Sequence, residues 1–268
     1  MSQPASPASR RRFLTLALAC PACAVAARVG IAAEHAAPKG GHDAPHWSYE
    51  GPTGPAQWGK LAPGDALCGI GREQSPVNLT EAIPAATPDL ATRWAPATAE
   101  IIHNGHTIQV NWPAGSEAVI DRQPHQLLQF HFHHPSEHVI DGRSFPLEVH
   151  FVHRNASGGL AVVGLFFTPG PANPTLEAIW SAMPTQAGDK TRLAAPLDIA
   201  SFLPGDPTSY RYAGSLTTPP CSEVVSWVVL RQPVSASPAQ IERFAALFPM
   251  NARPVQPLNR RKLLLDLL

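Results

Sequence analysis

Gln129-Phe130-His131-Phe132-His133 is the stretch that most narrows what this chain can fold into. Side chains on a strand alternate between its faces, so Gln129, His131 and His133 are expected on one side and Phe130 and Phe132 in a core on the other. Glu148-Val149-His150-Phe151-Val152 repeats the pattern, with Glu148, His150 and Val152 in phase. Sixteen residues lie between His133 and His150, a length suited to an antiparallel neighbour that sets a third imidazole opposite the first pair. Three neutral histidines with a fourth position left open are a ligand set of catalytic zinc. Gln129 and Glu148 each precede such a ligand by two residues, where their oxygens can accept the ring N–H that points away from a metal.

The distribution of histidine fits this reading, since nine of the 12 fall between His103 and His153. A lone His-x-His on a strand is more often surface decoration than a metal site; the phase-matched Gln129 and Glu148 weigh against that here. His134 and His153 are out of phase with the ligand sets and read as structural or solvent-facing. His103 and His125 carry no argument beyond composition, and His35, His42 and His46 belong to weak adventitious binding in or beside a linker. The balance of 20 Lys+Arg against 20 Asp+Glu, with no basic arm, argues against a nucleic-acid partner.

Ser9-Arg10-Arg11-Arg12-Phe13-Leu14 reads as a twin-arginine-type export signal over residues 1–33, and Pro21 and Arg28 interrupt its apolar stretch, so no membrane anchor is expected after its removal. Its loss takes away four arginines and no acid, leaving 16 basic against 20 acidic side chains in a periplasmic or secreted protein. It also removes Cys20 and Cys23. Cys68 and Cys221 remain, an even pair in an oxidising compartment, and are expected to bond; two buried free thiols are the alternative. Such a long closed loop would contribute about 4 to 5 kcal/mol in the chain-entropy model.

Residues 34–45 have no apolar period and read as a flexible linker before one domain over 46–268. Short strand-like runs follow at Ala99 to His103, Thr107 to Asn111, Ala118 to Asp121, Gln126 to His133, Leu147 to His153 and Leu160 to Phe167. One helix is expected after Asn173-Pro174, with Leu176, Ile179, Trp180 and Met183 on one face. The capping box Ser237-Pro238-Ala239-Gln240 opens another that buries Ile241, Phe244 and Phe248. The fold class is therefore α+β and β-dominated, with a few peripheral short helices and many proline-bearing loops.

From His46 to Arg260 the sequence resembles an α-class carbonic anhydrase of the bacterial, exported type. The motifs that carry the resemblance, in order, are His46-Trp47-Ser48-Tyr49, Gln74-Ser75-Pro76-Val77-Asn78, Asn104-Gly105-His106, Gln129 to His133, Ser136-Glu137-His138, Glu148 to His153, Gly214-Ser215-Leu216-Thr217-Thr218-Pro219-Pro220 and Asn251 to Asn259. The resemblance implies a large twisted, mostly antiparallel sheet with the metal at the bottom of a cone-shaped cleft. It also implies Zn2+ on His131, His133 and His150, with Gln129, Glu148 and the Asn251 carbonyl orienting the three rings. Cys68 and Cys221 sit where exported members place their disulfide.

The activity implied is zinc-dependent, reversible hydration of carbon dioxide to bicarbonate and a proton by attack of a zinc-bound hydroxide. Carbonic anhydrases are the reference case for a zinc ion that acidifies water into the neutral range. By resemblance Thr217 orients the hydroxide and donates its own hydrogen bond to Glu137, while His106 is the proton shuttle. Tyr49, Asn104, Gln109 and Thr218 order the intervening water, and Val152, Val162, Leu216 and Trp227 wall the carbon dioxide pocket, in which Thr217 and Thr218 also stand. Sulfonamides and anions are implied as inhibitors, and an oligomer is left open. The loop after His133 is shorter than in animal members, and Arg154 stands where those often carry Trp. Two other readings compete: a cupin-like metal protein, because His131-x-His133-x3-Glu137 copies that spacing although Pro135 interrupts the strand, and a zinc-binding module without turnover.

Overall fold

The alternation centred on His131 extends into an eleven-residue strand, Gln123–His133, on which the sheet is built. The computed structural model describes Met1, residues 46–88 and residues 90–266; the architecture is that of the unit His35–Leu268. The leader and linker readings, with His35 and His42, lie outside the described residues. In chain order the strands are β1 (Asn78–Leu79), β2 (Ile83–Ala85), β3 (Ala91–Arg93), β4 (Glu100–His103), β5 (Ile108–Asn111), β6 (Glu117–Ile120) and β7 (Gln123–His133). They continue as β8 (Val139–Ile140), β9 (Leu147–Arg154), β10 (Leu160–Pro169), β11 (Lys190–Arg192), β12 (Ser209–Gly214), β13 (Val225–Leu230), β14 (Val234–Ala236) and β15 (Leu264–Asp266).

Thirteen of these strands form one mixed sheet whose main path runs β11-β4-β5-β7-β9-β10-β13-β12-β15-β2. Its ladders are antiparallel except β10–β13, β10–β14 and β15–β2. Strands β1 and β8 pair separately. Every strand run expected between residues 99 and 167 is found within a few residues of its place. β13, Val-Ser-Trp-Val-Val-Leu, is a nearly continuous apolar run because both of its faces are covered.

An irregularity in β7 matters to the site. Leu127 pairs with His153, but Gln129 pairs with Val152, so Leu128 is an extra residue in the β7–β9 ladder. A bulge of this kind reverses the phase of the side chains beyond it. Leu127 therefore joins Phe130 and Phe132 in the core, whereas strict alternation would have put it beside Gln129.

One core lies against the sheet face formed by Phe130, Phe132, Val149, Phe151 and Phe167. Two eight-residue helices, α1 (Pro174–Ser181) and α2 (Pro238–Ala245), pack there, with Trp180 stacked on Phe244 at 5.4 Å between ring centres. Asn173 caps α1 by accepting from the Thr175 and Leu176 amides, and the expected Ser237/Gln240 capping box opens α2. Burial of a large apolar side chain in such a core stabilises by about 1.5–3 kcal/mol. A second core, on the other face, gathers Val77, Val152, Val162, Tyr212, Val225 and Trp227. A third is small: Trp58, with Trp47 and Tyr49, packs around the disulfide that joins Cys68 to Cys221 across 153 positions. Among the described residues no helix is long and apolar enough to cross a membrane.

Candidate metal centre

Antiparallel pairing of β7 and β9 puts His131 directly opposite His150. Their rings, with that of His133, converge: the ring centres are 4.5 Å apart for His133 and His150, 5.0 Å for His131 and His133, and 5.5 Å for His131 and His150. One nitrogen from each ring lies within 4.8 Å of the others. The remaining nitrogens are each held by an acceptor. His131 Nδ1 is 2.9 Å from Gln129 Oε1, His133 Nδ1 is 2.8 Å from the Asn251 carbonyl, and His150 Nε2 is 2.8 Å from Glu148 Oε1. These contacts fix the tautomers, so that His131 Nε2, His133 Nε2 and His150 Nδ1 are the nitrogens each ring has to offer as a ligand.

His133 Nε2 is buried and has no hydrogen-bond partner, an arrangement that costs stability unless something binds there. Burial also pulls the His133 pKa down, against the opposing pull of Glu137, so the ring stays neutral and keeps its lone pair. Neutral imidazole nitrogens in this number and convergence suit a borderline-soft divalent ion. The residues present therefore fit a metal of the zinc type.

Glu148 is the most heavily bonded group behind the ligands. Its Oε2 accepts the Glu137 and His138 amides at 2.8 and 2.9 Å, and its Oε1 accepts from His150 and from His138 Nδ1 at 2.8 Å each. Burial alone would raise its pKa, but His138 and His150 beside it hold the carboxyl well below the usual range, so it is an anion. Gly164 faces His150 across β9–β10 because a Cβ there would come within 3.3 Å of Glu148 Oε1. His138, Glu148 and His150 also form a three-residue cluster, but both Glu148 oxygens are already engaged, and it shares His150 with the triad.

Glu137 is buried with its Oε1 accepting the Arg253 amide at 2.8 Å. Its Oε2 lies 3.6 Å from His133 Nε2 and 3.9 Å from His150 Nδ1 and has no hydrogen-bond partner, so the anticipated Thr217–Glu137 bond is not formed here. Thr217 itself is buried on the turn that leaves β12. Val152, Val162 and Trp227 stand side by side on β9, β10 and β13, paired in register, and Leu216 packs against them.

His106 sits apart from the triad, in the turn between β4 and β5. Its ring stacks on Trp47 at 3.6 Å and lies 4.8 Å from His46, in a 450 Å³ cavity that Tyr49 and Asn251 also line. Asn104 Oδ1 accepts the His106 and Thr107 amides, and Asn104 Nδ2 donates to Gln109 Oε1 at 3.3 Å. Burial and the neighbouring Glu137 push the Tyr49 phenol up, keeping it a neutral hydroxyl. Thr218 accepts the Cys221 amide in the following turn.

Two residues next to the site had no role assigned from sequence. His138 was visible only as part of a motif. Arg253 binds Glu137 through its amide and uses its guanidinium to donate to the Ser75 and Cys68 carbonyls at 2.8 and 3.1 Å, so it ties the disulfide region to the site. A lone arginine in the Pro-rich segment after Asn251 gives no sequence signal of burial. His134 and His153 are structural, as read: each Nδ1 donates to a backbone carbonyl.

The family model described as eukaryotic-type carbonic anhydrase matches residues 53–266. A carbonic anhydrase of Nostoc sp. is 48% identical over 222 residues, covering 81% of this chain and 84% of its own length. One of Pectobacterium atrosepticum is 47% identical over 220 residues, covering 82% of this chain and 90% of its own. Among solved structures, the α-carbonic anhydrase from Thermovibrio ammonificans in complex with the inhibitor sulfanilamide superposes with a TM-score of 0.81 at 42% identity, over 84% of this chain and 100% of that one.

Proposed function

The chain belongs to the eukaryotic-type, or α, carbonic anhydrase family and is a carbonic anhydrase, and from that premise we propose that it hydrates carbon dioxide reversibly to bicarbonate and a proton with one Zn2+ on His131, His133 and His150. The observation that carries the zinc assignment is the inward-facing, unpartnered His133 Nε2 among three rings whose other nitrogens are all engaged. The family and the sheet leave no room for the cupin reading.

When bound, such an ion acidifies a water molecule and so supplies hydroxide near neutral pH. The protein's part is orientation, exclusion of water and proton removal. Gln129, Glu148 and the Asn251 carbonyl hold the three rings in their ligating tautomers. With an ion in place, Thr217 would accept the hydrogen of the hydroxide and turn its own hydroxyl to the buried, unpartnered Glu137 Oε2, an arrangement that would aim an oxygen lone pair at the substrate carbon. Carbon dioxide offers no charge to grip, and the apolar side chains of Val152, Val162, Leu216 and Trp227 suit it better than polar ones would. Each turnover leaves one proton behind. His106 takes it through water ordered by Tyr49, Asn104, Gln109 and Thr218, and its ring hands it to buffer.

By the same reading residues 1–33 are a twin-arginine-type leader, the mature protein works in the periplasm or outside the cell, and sulfonamides and anions inhibit it. A stopped-flow pH-indicator assay with elemental analysis of the same sample tests the proposal. One zinc per chain with sulfonamide-sensitive hydration is expected. A zinc-replete sample without turnover would establish the binding-module reading instead, and a sample that takes up no zinc would remove the metal assignment.

A further inference from the structure

His150 lies on β9 and Thr217 just beyond β12, and a single buried line of side chains joins the two segments. Glu148, which holds His150, also holds His138 Nδ1. His138 Nε2 lies 2.6 Å from the Tyr212 hydroxyl, which lies 3.0 Å from Ser75 Oγ. Ser75 Oγ accepts the Ser215 amide at 3.1 Å, and Ser215 Oγ accepts the Ser75 amide at 2.9 Å and donates to the Leu216 carbonyl at 2.7 Å, one residue before Thr217. His138, Ser75 and Ser215 are fully buried and Tyr212 nearly so. Space is kept for the line by Gly214, where a Cβ would collide with Ser75 Oγ and sit 2.8 Å from Tyr212 Cε2. Trp227, on the apolar wall, stacks on Tyr212 at 6.1 Å and donates to the Ser215 carbonyl.

We propose that Tyr212 and Ser75 are positioning residues for the hydration step: their hydroxyls lock the strand that carries His150 and the turn that carries Thr217 into one rigid unit. The inference rests on the zinc-hydration reading. Neither hydroxyl reaches the triad, so both act through Glu148 and Ser215. Burial pushes the Tyr212 phenol well above its ordinary pKa, which keeps it a neutral hydroxyl at any pH of assay. A rigid link matters because misplacing a reacting group by a fraction of an ångström lowers the rate of attack without changing what is bound.

Tyr212→Phe preserves the stack on Trp227 and removes only the hydroxyl; Ser75→Ala removes the other member. Each variant is first compared with the parent by melting temperature and zinc content. Expected is a folded, zinc-replete Tyr212→Phe whose kcat/KM for carbon dioxide falls about 3- to 10-fold, the rate equivalent of one lost hydrogen bond. Its kcat in weak buffer, which depends on proton removal at His106, is expected to hold, and the double variant to lose no more than the worse single one. The visible spectrum of the cobalt-substituted protein gives a readout without turnover and is expected to change in both variants. Unchanged kcat/KM and an unchanged cobalt spectrum, or losses that simply add in the double variant, would overturn the link while leaving the hydration reading intact. A parent protein that takes up cobalt but hydrates nothing would end the hydration reading, and the spectra would still decide the link.

Discussion

β7 and β9 carry two groups of histidines, and only one group converges as a metal centre would require. At one end His131 faces His150, with His133 beside them; at the other His153 faces Leu127 of the core, with His125 near it. In the first region every ring has an acceptor behind it, and one nitrogen from each ring lies within 4.8 Å of the others. In the second, His153 donates Nδ1 to the Phe151 carbonyl and lies flat against Trp94, while its Nε2 meets no second inward-facing nitrogen. Both places are rich in histidine. What separates them is strand phase, together with an acceptor placed to choose the tautomer.

The largest expected difference between the two regions is in metal content. His131→Ala is expected to abolish bound zinc and reduce hydration to background, whereas His153→Ala keeps one zinc per chain; elemental analysis of both variants decides it, and zinc loss from the second would erase the distinction. Next in size is the layer behind the ligands. Glu148→Ala is expected to weaken zinc about 10- to 100-fold in a chelator competition. His106→Ala retains zinc and slows turnover roughly tenfold or more in weak buffer, with partial recovery when imidazole is added. Equal metal loss in His106→Ala and His131→Ala would contradict both roles.

The smallest effect belongs to the second region and is one of stability. Burial lowers the His153 pKa to about 4, with His125 pulling the same way against the Phe151 carbonyl. Between that value and the ordinary histidine value the unfolded chain binds the extra proton and the folded one does not. Stability therefore rises with pH across about pH 4 to 6.5 and is lost as pH falls, by at most about 3 kcal/mol from this residue. Denaturant titrations at pH 4.5 and 6.5 should show this slope, and His153→Phe should flatten it.

Much of the site was legible because period-two alternation is strong in Gln129–His133 and Glu148–Val152, and because each outward acceptor on a strand lies in phase with its ring. The bulge was not: Leu127 and Leu128 are both apolar, and a doubled leucine does not reveal which one is extra. Nor was the third orienting group, since a backbone carbonyl has no signature in side-chain chemistry and Asn251 entered only through resemblance. β11 and β12 escaped because Lys190–Arg192 is an exposed edge and Ser209–Gly214 mixes buried polar and aromatic residues. Ser75 entered only inside a motif and Tyr212 in none, since neither is a residue type that by itself marks a metal or proton-transfer site.

His133 and the carbonyl that orients it are 118 positions apart. A nascent chain that has already paired β7 with β9 owns all three imidazoles yet still lacks the peptide group that fixes one of them. Orientation of the His133 ring thus depends on the segment after α2 folding back onto the sheet, so the cradle is completed by tertiary closure and not by strand pairing alone.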